Sequence, residues 1–272
     1  MTSSIEIKSD QLKQLLSSYT SAVVCFSGGV DSGLLAFLAH KYLGKHMVAL
    51  TANSPSLARH DLARATDFCS QHAIPHRIEQ TSELTDPDYV KNDLNRCYHC
   101  KKHLLMTARM IKSIAAVAAS THPTILLGTT TSDLTEHRPG HQAATDAGAK
   151  HPLVEAGFSK QDVRALAKRL GLSLWDEPQM ACLSSRIAHG IPVTSRALSQ
   201  VEAVELKLRD LGFVSLRARH HGDTVRIEAQ SADIAMLAKP QIREQLTTLA
   251  TAQGYRYVTL DLAGYRRGSL QP

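Results

Sequence analysis

Aromatic residues are scarce in this chain: one Trp, five Phe and seven Tyr among 272 residues. Single-stranded nucleic acid is gripped largely by stacking bases on aromatic rings, so this scarcity, with no aromatic-rich stretch and no zinc ribbon, argues against nucleic acid as a partner. No apolar run approaches the roughly 20 residues of a membrane-spanning helix. Residues 1–20 are polar and charged, without the apolar centre of a signal peptide. A cytoplasmic protein with no membrane partner is the expectation. Cysteines are few and odd in number, at Cys25, Cys69, Cys97, Cys100 and Cys182. That excludes a disulfide framework and leaves reduced thiols, a metal centre or catalysis. Internal repeats and low-complexity tracts are missing too. What remains is a chain with 43% hydrophobic residues, enough for one large domain or two modest ones. Its net charge of +6 suits a polyanionic ligand, without choosing between a nucleotide, another phosphorylated small molecule and RNA.

Ala22-Val23-Val24-Cys25-Phe26 is a short continuous apolar run, the pattern of a strand covered on both faces of a parallel sheet. This makes Cys25 a core residue. Leu34, Leu35, Phe37, Leu38 and Tyr42 then recur at helical spacing as far as Gly44, a stop signal. Strand and helix go on alternating: a strand over 47–51, a helix over 57–72 with Cys69 in its apolar pattern, and a strand over 76–79. A polar stretch over 81–96 follows, then a helix over 101–119 and a strand over 124–128. This alternation predicts an α/β fold with a doubly wound parallel sheet, and ligands beyond the carboxyl ends of its strands. Ser159 and Asp162 have capping-box spacing and open a helix that Gly171 closes. Past Gly190 the texture changes. Helices over 195–211 and 232–250 and strands over 214–219, 224–228 and 255–262 predict a second, smaller α+β domain.

Between the first strand and its helix stands Ser27-Gly28-Gly29-Val30-Asp31-Ser32. A loop that leaves a buried strand and enters a helix gathers several backbone N–H groups and the positive helix end at one point, which suits a phosphate. Gly28 and Gly29 let the backbone come close, Ser27 and Ser32 add hydroxyl donors, and Asp31 can hold magnesium against phosphate oxygens. A plain glycine turn is the bland alternative, and the strand-to-helix context weighs against it. The Gly-Lys-Ser/Thr ending of a Walker loop is absent. The hexapeptide resembles instead the SGGxDS signature of the PP-loop family, whose members cleave ATP to AMP and pyrophosphate while adenylating a substrate.

Cys97-Tyr98-His99-Cys100 brings two thiols near enough to share a metal, and Cys182 is the other cysteine in a loop-like setting. Structural zinc wants four ligands and would draw on His99, His103 or another group. An iron–sulfur cluster held by three cysteines leaves one iron open. A redox-active pair or plain surface thiols fit the same residues, since one C-x-x-C is a weak signal.

Taken together, the 27–32 loop, Arg138-Pro139-Gly140, Pro152-Leu153-Val154-Glu155, Ala181-Cys182-Leu183-Ser184-Ser185-Arg186 and Tyr257-Val258-Thr259-Leu260-Asp261-Leu262 resemble the LarE family over nearly the whole chain. The resemblance implies an ATP-dependent sulfur transferase with ATP and magnesium as cofactors. Its substrate would be a small molecule, pyridinium-3,5-biscarboxylic acid mononucleotide. One carboxylate is adenylated and AMP is replaced by sulfur, on the way to the nickel-pincer nucleotide of lactate racemase. Some members give up the sulfur of a single cysteine; others resemble enzymes that bind a 4Fe-4S cluster through three cysteines, and Cys97, Cys100 and Cys182 match the second pattern.

By the same resemblance Cys182, Ser185 and Arg186 lie at the reaction centre, and Glu205 matches an acid near it. Arg217, Arg219 and Arg266 would bind the substrate's phosphate, the first two sharing one strand face. Each could instead be a solvated surface charge. Asn53 and Ser54, at the end of the second strand, would meet the adenosine. Relatives carry Gly-Thr-Asn and paired aspartates where this chain has Gly128-Thr129-Thr130-Thr131-Ser132-Asp133, so Gly128 and Asp133 are what remains for the nucleotide. The expected division is a PP-loop domain over 1–187 and a substrate or oligomerisation domain over 188–272; the family's tendency to oligomerise suggests a homo-oligomer, while the sequence itself leaves the oligomeric state open. Two other functions compete: a tRNA thiolation enzyme of the PP-loop class, and a nucleotide-binding regulator without turnover.

Overall fold

The computed structural model describes residues 4–111, 122–134, 139–178, 181–266 and 268–270. The chain forms two compact units, Met1–Glu83 with Cys97–Met180, and Leu84–Arg96 with Ala181–Pro272. The single division expected between 187 and 188 differs from this in two ways: the second unit begins at Ala181, and it takes in Leu84–Arg96.

In chain order the elements are α1 (Ser4–Ser18), β1 (Ala22–Cys25), α2 (Val30–Leu43), β2 (Met47–Asn53), α3 (Arg59–Gln71), β3 (His76–Gln80), α4 (Pro87–Val90), α5 (Arg96–Met110), β4 (Thr124–Leu127), α6 (Pro139–Asp146), α7 (Pro152–Glu155) and α8 (Lys160–Arg169). Then come α9 (Ser195–Asp210), β5 (Leu216–His221), β6 (Thr224–Ala229), α10 (Ile234–Leu237), α11 (Pro240–Ala252) and β7 (Tyr257–Leu260). In the first unit four parallel strands lie in the order β3-β2-β1-β4. This is the predicted α/β architecture. Every residue of β1 is buried, because successive side chains enter two different cores. Ala22 and Val24 join Leu12 of α1, Leu35 of α2, Phe68 and Cys69 of α3 and Val163 of α8, whereas Val23 and Cys25 join Leu105 of α5 and Ala143 of α6. Helices on both faces leave no polar side for the strand to show, hence its continuous apolar run.

The box at Ser159 and Asp162 caps α8 with both bonds made, and Gly171 follows the helix at φ +69°. Two helices depart from the expected bounds. α5 starts at Arg96, so the Cys97–Cys100 motif is helical, while the expected stretch over 112–119 lies outside the described residues, as does Arg138. The helix expected over 232–250 is two: α10, and α11 with Pro240 in its first turn. Proline has no N–H to donate to a preceding turn, so it opens a helix better than it continues one.

In the second unit β5 and β6 form an antiparallel hairpin, β7 runs parallel to β6, and α9 packs on β5. Among the described residues no helix is long and apolar enough to cross a membrane.

Candidate active site

The chain steps outward from β1 to β2 to β3, then returns to add β4 on the other side of β1. Cys25 at the end of β1 is level with Leu127 at the end of β4, so their carboxyl ends flank the topological switch point, where open α/β sheets take their ligands. The glycine loop opens there. Gly28 has φ +82°, a left-handed backbone that costs glycine little. Gly29 is the N-cap of α2 and makes no side-chain cap bond, an arrangement that water or a bound anion can complete. The Ser32 hydroxyl folds back across the loop, 3.2 Å from that of Ser27 and 3.3 Å from both the Ser27 N–H and the Gly29 carbonyl. Asp31 stands half-buried in the same turn. On the facing side Gly128 follows β4; a Cβ there would fall 2.7 Å from the Ser32 nitrogen and 2.8 Å from its Cα. Only a residue without a side chain brings the end of β4 so near the cradle.

Beside this crevice, at the end of β2, Arg59 gathers the residues expected at the adenosine. Its guanidinium donates to Asn53 Oδ1 at 2.7 Å and to the carbonyls of Ser54 and Leu57 at 2.8 and 2.6 Å. Ser54 Oγ accepts from the Ser56 N–H at 3.1 Å, and Ser56 Oγ lies 3.3 Å from the buried carboxylate of Glu83. Nothing in the sequence marks Arg59, because an arginine opening a helix looks like any solvated charge.

Asp133 is where expectation and geometry part. Its Oδ2 accepts from the Thr130 N–H and hydroxyl at 3.1 and 2.8 Å, and its Oδ1 is 2.8 Å from Lys160 Nζ. Burial alone raises its pKa, but the bonds from Lys160 and Thr130 outweigh it and hold the carboxyl below its usual value. Both oxygens are thus spent on a cap and an ion pair within the protein.

Cys97 and Cys100 are three residues apart on α5 and so on one face of it. Cys97 is exposed and Cys100 half-exposed, while Cys25 and Cys69 are buried and no cysteine is in a disulfide. Burial pushes the Cys25 thiol up to about 11 and that of Cys69 to about 12, which keeps both protonated and inert.

Cys182 belongs to the second unit. It begins a short 3-10 turn, Leu183–Arg186, and its carbonyl receives the Ser185 N–H at 3.0 Å, the Ser185 hydroxyl at 2.7 Å and the Arg186 guanidinium at 3.0 Å. The thiol-bearing residue itself is exposed. Arg186 is buried and forked on Glu205, with Nε and Nη2 at 2.9 and 3.1 Å from its two oxygens. Glu205 also accepts from the Ala218 N–H at 3.1 Å. It therefore holds Arg186 against β5, with each of its oxygens accepting at least one bond.

The expected phosphate arginines divide. Arg219 is buried; it donates to Glu228 at 3.0 Å through Nε and at 2.8 Å through Nη2, and to the Ser185 carbonyl at 3.0 Å. Glu228, wholly buried, takes Arg226 and Ser269 on its other oxygen, and no motif in the sequence points to it. Arg217 lies over the Tyr265 ring, 5.0 Å from its centroid, where burial first and then the Arg186 charge push its pKa down. Arg266 is exposed and 3.6 Å from Asp261.

Residues 5–192 match the NAD synthase family. Over 97% of its length the chain is 35% identical to pyridinium-3,5-bisthiocarboxylic acid mononucleotide synthase of Lactiplantibacillus plantarum, and the match covers 93% of that protein. The chain belongs to the LarE family of PP-loop proteins. An uncharacterised protein of Synechocystis sp. is 37% identical over 98% of the chain and 97% of its own length. An uncharacterised protein of Methanocaldococcus jannaschii is 22% identical over 90% of both chains. Within this LarE-family chain the cradle, Asn53, Ser54 and Gly128 gather at one sheet edge of the first unit. Cys182, Ser185, Arg186, Glu205 and Arg219 form one connected network in the second.

Proposed function

We propose that this protein is an ATP-dependent sulfur transferase that converts a carboxylate of pyridinium-3,5-biscarboxylic acid mononucleotide to a thiocarboxylate, in nickel-pincer nucleotide biosynthesis. The observation that carries the reading is the match, over nearly the full length of both chains, to a protein named for making the bisthiocarboxylic acid product. A substrate carboxylate oxygen attacks the α-phosphorus of ATP and pyrophosphate leaves. Sulfur then attacks the acyl carbon and AMP departs.

Gly29, with no capping side chain, and Gly128, with no room for a Cβ, fit the cradle to a polyphosphate. The loop N–H groups and the Ser27 and Ser32 hydroxyls would hold the departing pyrophosphate, lowering the barrier by stabilising the charge that grows there. Asp31 would hold magnesium. Arg217, on β5 over the Tyr265 ring, would bind the substrate's phosphate through its guanidinium. Arg266, on the exposed side, would serve the same phosphate. Glu205 acts by fixing Arg186 in the fork, and Arg186 in turn holds the Cys182 carbonyl.

Cys97, Cys100 and Cys182 carry free thiols, soft donors of the kind that hold iron–sulfur clusters, and by the family resemblance they would bind one. Such a 4Fe-4S cluster would supply exchangeable sulfur. The test is anaerobic incubation with ATP and the mononucleotide, read by mass spectrometry. Pyrophosphate with thiocarboxylate supports the proposal, ATP binding without pyrophosphate favours a regulator, and sulfur appearing on tRNA alone favours the tRNA thiolase.

A further inference from the structure

Asn92 has no part in the chemistry above, yet it is fully buried and one of two non-glycine described residues with a left-handed backbone, at φ +58°. A strained asparagine persists where its side chain holds something. Its amide nitrogen donates to the carbonyls of Ala188 at 2.9 Å and Ile191 at 2.8 Å, with that of Ile187 at 3.4 Å. Its own carbonyl receives the Gly190 N–H at 3.3 Å, and its side-chain oxygen receives Arg96, which also donates to the Ser184 carbonyl at 2.8 Å. Tyr89 adds a 2.5 Å bond to the Ser184 hydroxyl, and the Val90 carbonyl takes the Val193 N–H at 2.9 Å. All of these residues lie in the second unit. The stretch from Ser184 to Val193 has little regular structure of its own, and its polar backbone is answered largely by residues 89–96.

We infer that Asn92 is a positioning residue for sulfur transfer: it sets the loop that joins the Cys182–Arg186 turn to α9, which carries Glu205, and so fixes where Cys182 and Arg186 stand. This rests on the proposed function for its kinetic consequence but not for its structural one. Asn92→Gly isolates the side chain, because glycine keeps the left-handed backbone without strain. In the full-length protein, amide hydrogen exchange over 184–193 speeds up about tenfold or more, as expected when buried carbonyls lose their donors, while exchange in β1 and β4 stays as in the wild type. The kcat for thiocarboxylate formation falls about tenfold or more, since small misplacements of reacting groups are costly, and the KM for ATP stays within about twofold. Should Asn92→Gly fail to fold, Tyr89→Phe removes the phenolic hydroxyl that meets the Ser184 hydroxyl and is expected to give the same pattern at smaller size. Unchanged exchange over 184–193 in a folded variant overturns the inference, as does a fall in kcat matched by an equal rise in the KM for ATP. A wild type that makes no thiocarboxylate sinks the functional reading instead, and leaves the exchange measurement to judge Asn92.

Discussion

Gly128→Ala puts one methyl group where the end of β4 meets the cradle. The new Cβ would lie 2.7 Å from the Ser32 nitrogen, 2.8 Å from its Cα and 3.0 Å from the Asp31 carbonyl carbon. All three are backbone atoms in the first turn of α2, so no side-chain rotation relieves the contact, and the nearest is about 0.7 Å inside ordinary van der Waals distance. Either β4 or the N-terminus of α2 must move. Overpacking of this kind costs about 1–3 kcal/mol, which for a chain of this size lowers Tm by roughly 2–4 °C per kcal/mol. The displaced atoms are those that would hold phosphate, so ATP binding weakens more than stability alone requires, by about tenfold (roughly 1.4 kcal/mol). Calorimetric titration with ATP, beside thermal unfolding, measures both. Gly33→Ala is the control: its closest contact would be the Leu174 Cδ1 at 2.5 Å, the end of a side chain that can rotate away, and alanine favours the helix. A Gly128→Ala protein that binds ATP as tightly as the wild type, at an unchanged Tm, would refute the close-approach argument.

Glu205→Ala leaves the buried Arg186 without its fork and is expected to destabilise by about 3–5 kcal/mol, seen as a lowered urea midpoint; a wild-type midpoint would mean that the pair does not hold the turn. Burial lowers the pKa of His72, His76, His151, His220 and His221. The unfolded chain therefore binds protons before the folded one does, so stability is full above the unfolded value near 6.5 and falls as pH drops below it. A Tm that is flat or rising from pH 7.5 to 5.5 contradicts this, and His220→Gln should flatten the fall. Cys182→Ser should abolish thiocarboxylate formation while leaving the Tm of the metal-free protein within about 1 °C, because the bonds that build its turn go to the carbonyl and not to sulfur.

The sheet and the cradle were legible because their signals are local. A buried parallel strand must be apolar throughout, and a loop that turns tightly from it into a helix against the end of β4 must be small, so 22–32 declares itself in the sequence. Bounds failed where the local signal was mixed. The first turn of α5 holds Cys97, Tyr98 and His99, none a strong helix former, and Pro240 breaks a stretch whose flanks both carry helical spacing. The long-range partnerships were not legible. That Glu228 neutralises Arg219, or that Lys160 takes Asp133, depends on strand register and helix placement that no short motif encodes. The same holds for Leu84–Arg96, which reads as a polar interruption and proves to be part of the second unit through the contacts of Tyr89, Asn92 and Arg96.

The turn at Cys182 keeps its architecture apart from its thiol. Its shape is set by three donors on one carbonyl, and the residue's β-carbon and sulfur hang outside that arrangement. Whatever happens to that sulfur, whether it is metal-bound, alkylated or lost altogether, the peptide frame beneath it has no bond to give up. The position is in effect an interchangeable fitting, and relatives could alter the provenance of the sulfur there without redesigning the fold around it.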